Sequence, residues 1–262
     1  MWRSGSTAAA VAAERSMKRP VGCVTAPSVF ASPKSCHGTL AAVPSAGATA
    51  HCACGSAALG FARRDAVLSL ECACCDCRQA REFEATRSRG LSSGQGSGGS
   101  ALSHLAYFTN DVLLQPELDG AVADSAFAER FEVMKLRTEA RSTRLVSRCC
   151  RSTLAVDHAA YGERMVMVPV DSCRLDADIP PPLARIYMGD WQHDIDGAPP
   201  PTEGWPSFGP EADDSVKEVY RSVFRAASVD LPRVGMPLQA IFARLAPATS
   251  LGLREAERFL PE

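Results

Sequence analysis

The stretch Glu71-Cys72-Ala73-Cys74-Cys75-Asp76-Cys77-Arg78 constrains this chain more than any other. It places four of the eleven cysteines within six consecutive positions. Thiols so close in sequence make strained disulfides, because a disulfide demands a particular Cα separation and torsion. They are good metal ligands, which points to a reducing compartment. Cys72, Cys74 and Cys77 form Cys-x-Cys-x-x-Cys, a turn able to aim three thiolates at one point. Three thiolates leave a fourth position open for water or a substrate thiol, the arrangement of a reactive rather than a structural zinc site. Cys75 is an extra thiol, either an alternative ligand or, as the middle of a tight loop, a bystander. Asp76 inside the loop could orient a ligand, move a proton, or cap a following helix.

Two further cysteine groups flank this one. Cys52 and Cys54 lie upstream and Cys149 and Cys150 downstream. A four-cysteine structural site needs two pairs brought from distant segments, and these could supply them. Two zinc sites per chain are therefore possible, and one is the minimum expected.

Residues 1–48 read as an address or a disordered extension. They are rich in Ala, Ser and Thr, and carry Arg3, Arg15, Lys18, Arg19 and Lys34 against Glu14 alone. That composition suits a mitochondrial or plastid transit peptide and lacks the apolar core of a secretory signal. Without an address the chain would be cytoplasmic. Residues 49–193 read as a mainly β, antiparallel domain. Strands are expected at 56–62 and 67–72, forming a hairpin about Arg63-Arg64-Asp65, then at 102–109, 131–136, 144–148, 153–157, 165–170 and 184–191. A short helix is expected at 79–86, and a flexible loop at 88–100 by its Gly and Ser content. Residues 194–210 read as a linker, with Pro199-Pro200-Pro201. In 211–262 the period changes to that of helices, with Val216, Val219, Tyr220, Val223 and Phe224, then Leu238, Ile241, Phe242 and Leu245, and a third run at 253–260. These helices either pack on the domain or dock a protein partner.

Several function classes are excluded or set aside. No stretch approaches the ~18 apolar residues of a membrane span. The net charge is −2 and no aromatics interleave with the arginines, so nucleic acid is not an expected partner. There is no phosphate-binding glycine loop and no serine nucleophile elbow. Residues 130–151 carry seven basic residues against Glu132 and Glu139. Spaced charges on strands usually face water, although such a segment could also attract an anionic ligand. His104, His158 and His193 are isolated, and each reads as a surface or hydrogen-bonded residue.

Four segments together resemble the glutathione-dependent formaldehyde-activating enzyme family, which includes centromere protein V. They are His51-Cys52-Ala53-Cys54-Gly55-Ser56; Cys72-Ala73-Cys74-Cys75-Asp76-Cys77-Arg78; Arg148-Cys149-Cys150-Arg151-Ser152-Thr153-Leu154; and Arg185-Ile186-Tyr187-Met188-Gly189-Asp190-Trp191. The resemblance covers about residues 47–193. It implies a β-tent zinc fold with a structural zinc and a more labile one. It further implies Cys52, Cys54 and Cys150 as structural ligands, with Cys149 as a substitute for the fourth. Cys72, Cys74 and Cys77 would hold the reactive zinc, where relatives act as carbon–sulfur lyases on glutathione adducts. The chain departs from the family where Ser147 stands in place of a ligand cysteine and Arg151 in place of a glycine. The reading that follows is a zinc-dependent carbon–sulfur lyase-like protein acting on a glutathione-type thiol adduct. The alternative is a non-catalytic zinc-binding interaction module whose helical tail docks a partner.

Overall fold

A computed structural model describes residues 47–87, 102–114, 121–191, 207–208 and 233–252. Residues 1–46 of the segment read as an address, the loop at 88–100, the helices at 216–224 and 253–260, and His193 all lie outside the described residues, as does most of the 194–210 linker, whereas Ala48, expected in the address, opens the first strand. The chain is mainly β. Its small sheet has the order β10-β1-β2-β5, from strands β1 (Ala48–Cys52), β2 (Ala58–Phe61), β5 (Val112–Leu113) and β10 (Cys173–Asp176). The large sheet comprises β3 (Leu68–Cys72), β4 (Ser103–Thr109), β6 (Phe131–Lys135), β7 (Ser142–Ser147), β8 (Thr153–His158), β9 (Met165–Pro169), β11 (Arg185–Ile186), β12 (Ser207–Phe208) and β13 (Thr249–Ser250). Its order is β12-β11-β3-β4-β9-β8-β7-β6-β13. Pairing is antiparallel except at the two edges, where β11 runs parallel to β3 and to β12, and β13 parallel to β6.

The large sheet is apolar on both faces, which follows from strands whose alternating residues are all apolar. On β4, Ala106 and Phe108 point to one face and Leu105 and Tyr107 to the other. On β9, Val166 and Val168 oppose Met165 and Met167 in the same way. The first face carries the main core, packed against Ala48, Ala50, Leu59 and Phe61 of the small sheet. Phe61 stacks on Phe108 there with ring centroids 4.7 Å apart. Phe127 of helix α2 (Ala121–Arg130) joins this core, as do Leu238 and Ile241 of helix α3 (Leu238–Ala243). The second face is partly covered by helix α1 (Cys75–Arg87), whose Ala80 packs with Met134, Leu136 and Val146.

Three expectations need correction. Residues 56–62 and 67–72 do not form a hairpin with each other. β2 pairs with β1, while β3 belongs to the other sheet and pairs with β4. The segment between them crosses from sheet to sheet. It is tied down by the Ala66 N–H, which donates to the Asp178 carbonyl at 2.9 Å, and by Arg64, which pairs with Asp176 and Asp178 at 3.0 and 3.1 Å. The real hairpin is β1–β2, and it carries Cys52 and Cys54 at its turn. Second, Ser207 and Phe208, inside the expected linker, form an edge strand beside β11. Third, the basic segment is only in part a solvated face: Arg141 and Arg148 are exposed, but two of its arginines are not. Arg144 is 2% exposed and Arg137 8%, because β7 lies beneath α1 and Arg144 shares a face with Val146.

The α3 helix is part of this domain. The Asn110 side-chain Oδ1 caps it by accepting from the Leu238 N–H at 2.7 Å, and the Asn110 side-chain amide donates to the Gln239 Oε1 at 2.8 Å. Just before the helix, Met236 and Val112 exchange two backbone hydrogen bonds of 2.9 Å. Gly235 lies so close to that exchange that a Cβ would sit 2.1 Å from the Val112 carbonyl oxygen. Only glycine tolerates such an approach.

Candidate metal centres

The first cysteine group is assembled by two turns. β1 ends at Cys52, and the chain reverses through Gly55, whose φ of 79° is left-handed and whose N–H donates to the Cys52 carbonyl at 2.9 Å. The Cys52 sulfur accepts the Ala57 N–H at 3.2 Å. The second turn joins β7 to β8 through Cys149 and Cys150. The two turns are locked together by the Ala53 N–H, which donates to the Ser152 hydroxyl at 2.9 Å. Cys52, Cys54, Cys149 and Cys150 thereby place four sulfurs within 4.8 Å of one another. The sulfurs lie 3.3 Å apart for Cys54–Cys149, 3.5 Å for Cys52–Cys54, 3.6 Å for Cys52–Cys149 and 3.9 Å for Cys149–Cys150. Four thiolates around zinc at about 2.3 Å define a tetrahedron with edges of about 3.8 Å. The four-sulfur group therefore fits a zinc-sized, thiophilic ion.

Both adjacent cysteines enter the group because the backbone after them is bent. Arg151 sits at φ 63°, and its N–H returns to the Ser147 carbonyl at 3.0 Å. A non-glycine residue rarely adopts this conformation. Arg151 is held there by its ion pair with Glu132. The Ser147 hydroxyl acts as a brace: it accepts the Ser152 N–H at 3.1 Å and touches the Cys150 sulfur at 3.5 Å. Hydrogen bonds from Cys149 and Cys52 hold Cys150 well below the ordinary thiol range, while those same contacts to Cys150 and Cys52 push Cys149 up. Such sharing of protons is what closely packed thiols do before a cation replaces them.

The second group is local. Cys72 closes β3 and is buried. The Ala73 N–H then donates to the Ile186 carbonyl at 3.0 Å, and the chain turns into α1. Cys74 precedes the helix and does the work of a cap. Its carbonyl accepts from Cys77 and Arg78 at 3.1 and 3.2 Å, and its sulfur accepts the Cys77 N–H at 3.4 Å. The Cys72 sulfur accepts the Cys74 N–H at 3.4 Å. Cys72, Cys74 and Cys77 each offer a sulfur within 4.8 Å of the others. Cys75 is not in this group. The helix N-terminus favours negative charge here. Hydrogen bonds from Cys72 and Cys74 hold Cys77 well below the usual thiol range, with the Arg144 guanidinium adding to the effect. Asp76 neither caps the helix nor faces the sulfurs as a ligand. Its carboxylate is bound by Arg137, whose other nitrogen donates to Gln79 at 3.0 Å.

The two groups lie on opposite faces of the large sheet. Cys52 and Cys150 belong to the main core, whereas Cys72 and Cys77 lie among Leu105, Tyr107, Met165 and Met167. Cys173, opposite Cys52 in the β1–β10 register, is buried but joins neither group. His158 accepts the Ala160 N–H at 3.0 Å and caps a short turn, and His104 lies on β4 opposite Glu71. Neither enters a metal group.

Sequence reasoning missed the polar residues around the second group. Arg144 donates to the Asp76 carbonyl at 3.4 Å and makes no ion pair among the described residues. Glu84 of α1 is half-buried, and the hydroxyls of Thr153 and Ser172 hydrogen-bond it. Alternation along β7 was the available signal, since it puts Arg144 on the face of apolar Val146.

Burial pushes the Glu84 carboxyl above its ordinary 4.5, although hydrogen bonds and Arg144 oppose the shift. A raised pKa means that the fold binds this proton more tightly than the unfolded chain does. Its contribution is complete below 4.5 and is lost as pH rises through the folded value. Glu84→Gln should therefore flatten the dependence of stability on pH above 4.5, measured as urea midpoints across a pH series. A slope identical to wild type would contradict this account of Glu84.

No protein-family model matches the chain, and no curated protein matches it.

Proposed function

We propose that the protein is a two-centre zinc protein of the β-tent type, in which one centre is structural and the other works as a carbon–sulfur lyase-like site on a glutathione-type thiol adduct. The carrying observation is a difference in ligand number. Cys52, Cys54, Cys149 and Cys150 offer a complete tetrahedral set, while Cys72, Cys74 and Cys77 are joined by no fourth Cys, His, Asp or Glu among the described residues. A set of four closes a zinc site, and a set of three leaves it chemically available. A zinc ion in the second set would supply Lewis acidity to the sulfur of a bound adduct.

The chain's own residues do the rest. Cys72 and Cys77 are held by the end of β3 and the first turn of α1, so their positions are set by backbone already ordered in the fold. Tyr107, Tyr161 and Met167 wall the site against water, with Tyr107 and Tyr161 packed edge to face at 5.6 Å. Arg144 places a buried positive charge beside Cys77. The resemblance of the cysteine segments to the formaldehyde-activating family supplies the reaction class. The alternative, a docking module with a helical tail, loses one of its helices, because α3 contributes Leu238 and Ile241 to the core.

The test is metal content by elemental analysis together with turnover of a glutathione–aldehyde adduct, in wild type and in Cys74→Ser. The variant should fall from two ions per chain to one, leaving only the four-cysteine set loaded. Its turnover should drop about 100-fold or more, a loss of several kcal/mol of charge stabilisation. Turnover that persists without metal in the second set would rule the reading out.

A further inference from the structure

The space between Cys77 and Arg144 is a small cleft, and its polar lining comes from β4, β7, α1 and the turn after β9. Two of its lining groups are buried donors with no protein partner: the Arg144 Nε and the Ser103 hydroxyl. Arg144 is 2% exposed and Ser103 3%. A buried polar atom left without a partner costs roughly 1–3 kcal/mol, and more when it is charged. We propose that this cavity is a subsite for a single carboxylate of the ligand, held by the Arg144 guanidinium and the Ser103 hydroxyl one side chain away from Cys77.

Neutralising the thiolates would account for a guanidinium near Cys77. It would not account for a serine hydroxyl facing the same space, nor for an Nε left over while the other arm of Arg144 reaches only a backbone carbonyl at 3.4 Å. A planar anion meets a guanidinium edge with two parallel hydrogen bonds, which uses the unpartnered Nε. The charge around the cavity argues for one negative charge rather than two. Arg144 and Arg81 line it, but so does Asp171, and Glu84 lies close to Arg144. The Asp171 carboxylate accepts the His104 backbone N–H at 3.0 Å, and no ion pair joins it to Arg144 among the described residues. The site is thus suited to a monoanionic carboxylate at the end of a thiol ligand and poorly suited to a phosphate dianion. The subsite rests on Cys72, Cys74 and Cys77 being the chemical centre only for its purpose, since carboxylate binding itself involves no reaction.

Formate is the probe. It is titrated into the metal-loaded full chain against sodium chloride at matched ionic strength, with the arginine Nε–H resonances followed by nitrogen-15 NMR. One resonance should move saturably with formate and be absent from Arg144→Lys. Ser103→Ala, which removes a hydroxyl with no protein partner and should leave the fold intact, should weaken formate binding about 3–10-fold. Inorganic phosphate should bind no more tightly than formate. The proposal is overturned by the lack of any saturable shift in wild type, by unchanged formate affinity in Ser103→Ala, or by phosphate binding ten-fold tighter than formate. A chain that binds formate in this way but turns over no thiol adduct would overturn the proposed reaction and leave the subsite standing.

Discussion

Cys150→Ser is expected to remove one bound metal ion and to lower the thermal midpoint by roughly 10 °C. Cys150 is 5% exposed, lies in the main core, and shares its sulfur with Cys149, Ser147 and Ser152 at 3.9, 3.5 and 3.3 Å. Serine cannot replace a thiolate on zinc. Structural zinc is worth on the order of 10 kcal/mol in small peptides at neutral pH. Even a third of that, at about 2–4 °C per kcal/mol for a domain of this size, gives the stated shift. The control is Cys173→Ala. That cysteine is also buried and pairs in register with Cys52, yet lies outside the four-sulfur group. It should keep the full metal content and lose little stability. Calorimetry with elemental analysis on both variants decides the matter, and a Cys150→Ser protein with wild-type metal content and midpoint would contradict the structural role.

Deleting residues 233–262 is expected to abolish cooperative folding rather than trim a tail. The deletion strips Leu238 and Ile241, both fully buried, from the space between the sheets. It also leaves Asn110 without Leu238 and Gln239, and Asp111 without the N–H groups of Val234 and Gly235 that its carboxylate accepts. Ile241→Ala alone should cost about 2–5 kcal/mol, the usual range for emptying a buried aliphatic site. Urea unfolding of the point variant and near-ultraviolet circular dichroism of the truncation test this. A truncated chain that still unfolds cooperatively with native signal would show that the helix is dispensable. Loss of a binding partner on truncation would, by the same argument, report loss of the domain.

The second cysteine group was legible because its chemistry is local: spacing alone brings Cys72, Cys74 and Cys77 around one turn. Strands β6 to β9 were legible for a similar reason, since short apolar runs between turn residues leave few other options. The partners of β2 and β3 were not. An apolar run announces a strand but not its neighbour, and here the link at 63–67 carries the chain to another sheet by contacts with Asp176 and Asp178, more than a hundred residues away. Arg144 was misjudged because charge was taken as a mark of exposure. On a sheet covered on both faces, position decides burial, and the arginine follows its strand inward. The role of Arg151 was half visible: it stands where the resembled family has a glycine, but only the backbone reveals that it adopts the conformation a glycine would supply.

The placement of the two cysteine groups implies an order of loading. Cys72, Cys74 and Cys77 span so few residues that an unfolded or newly made chain can gather them around an ion at little cost in chain entropy. The other set joins Cys52 to Cys149 across 97 positions, so closing it demands that most of the domain be in place. If each set takes an ion, the first could bind before the domain forms, whereas the second could be enclosed only once the fold is in place. A chelator acting on the loaded protein would then be expected to empty the three-cysteine set before the four-cysteine set, which offers one more ligand and is held by distant segments. Exchange of metal would be a property of one face of the sheet alone.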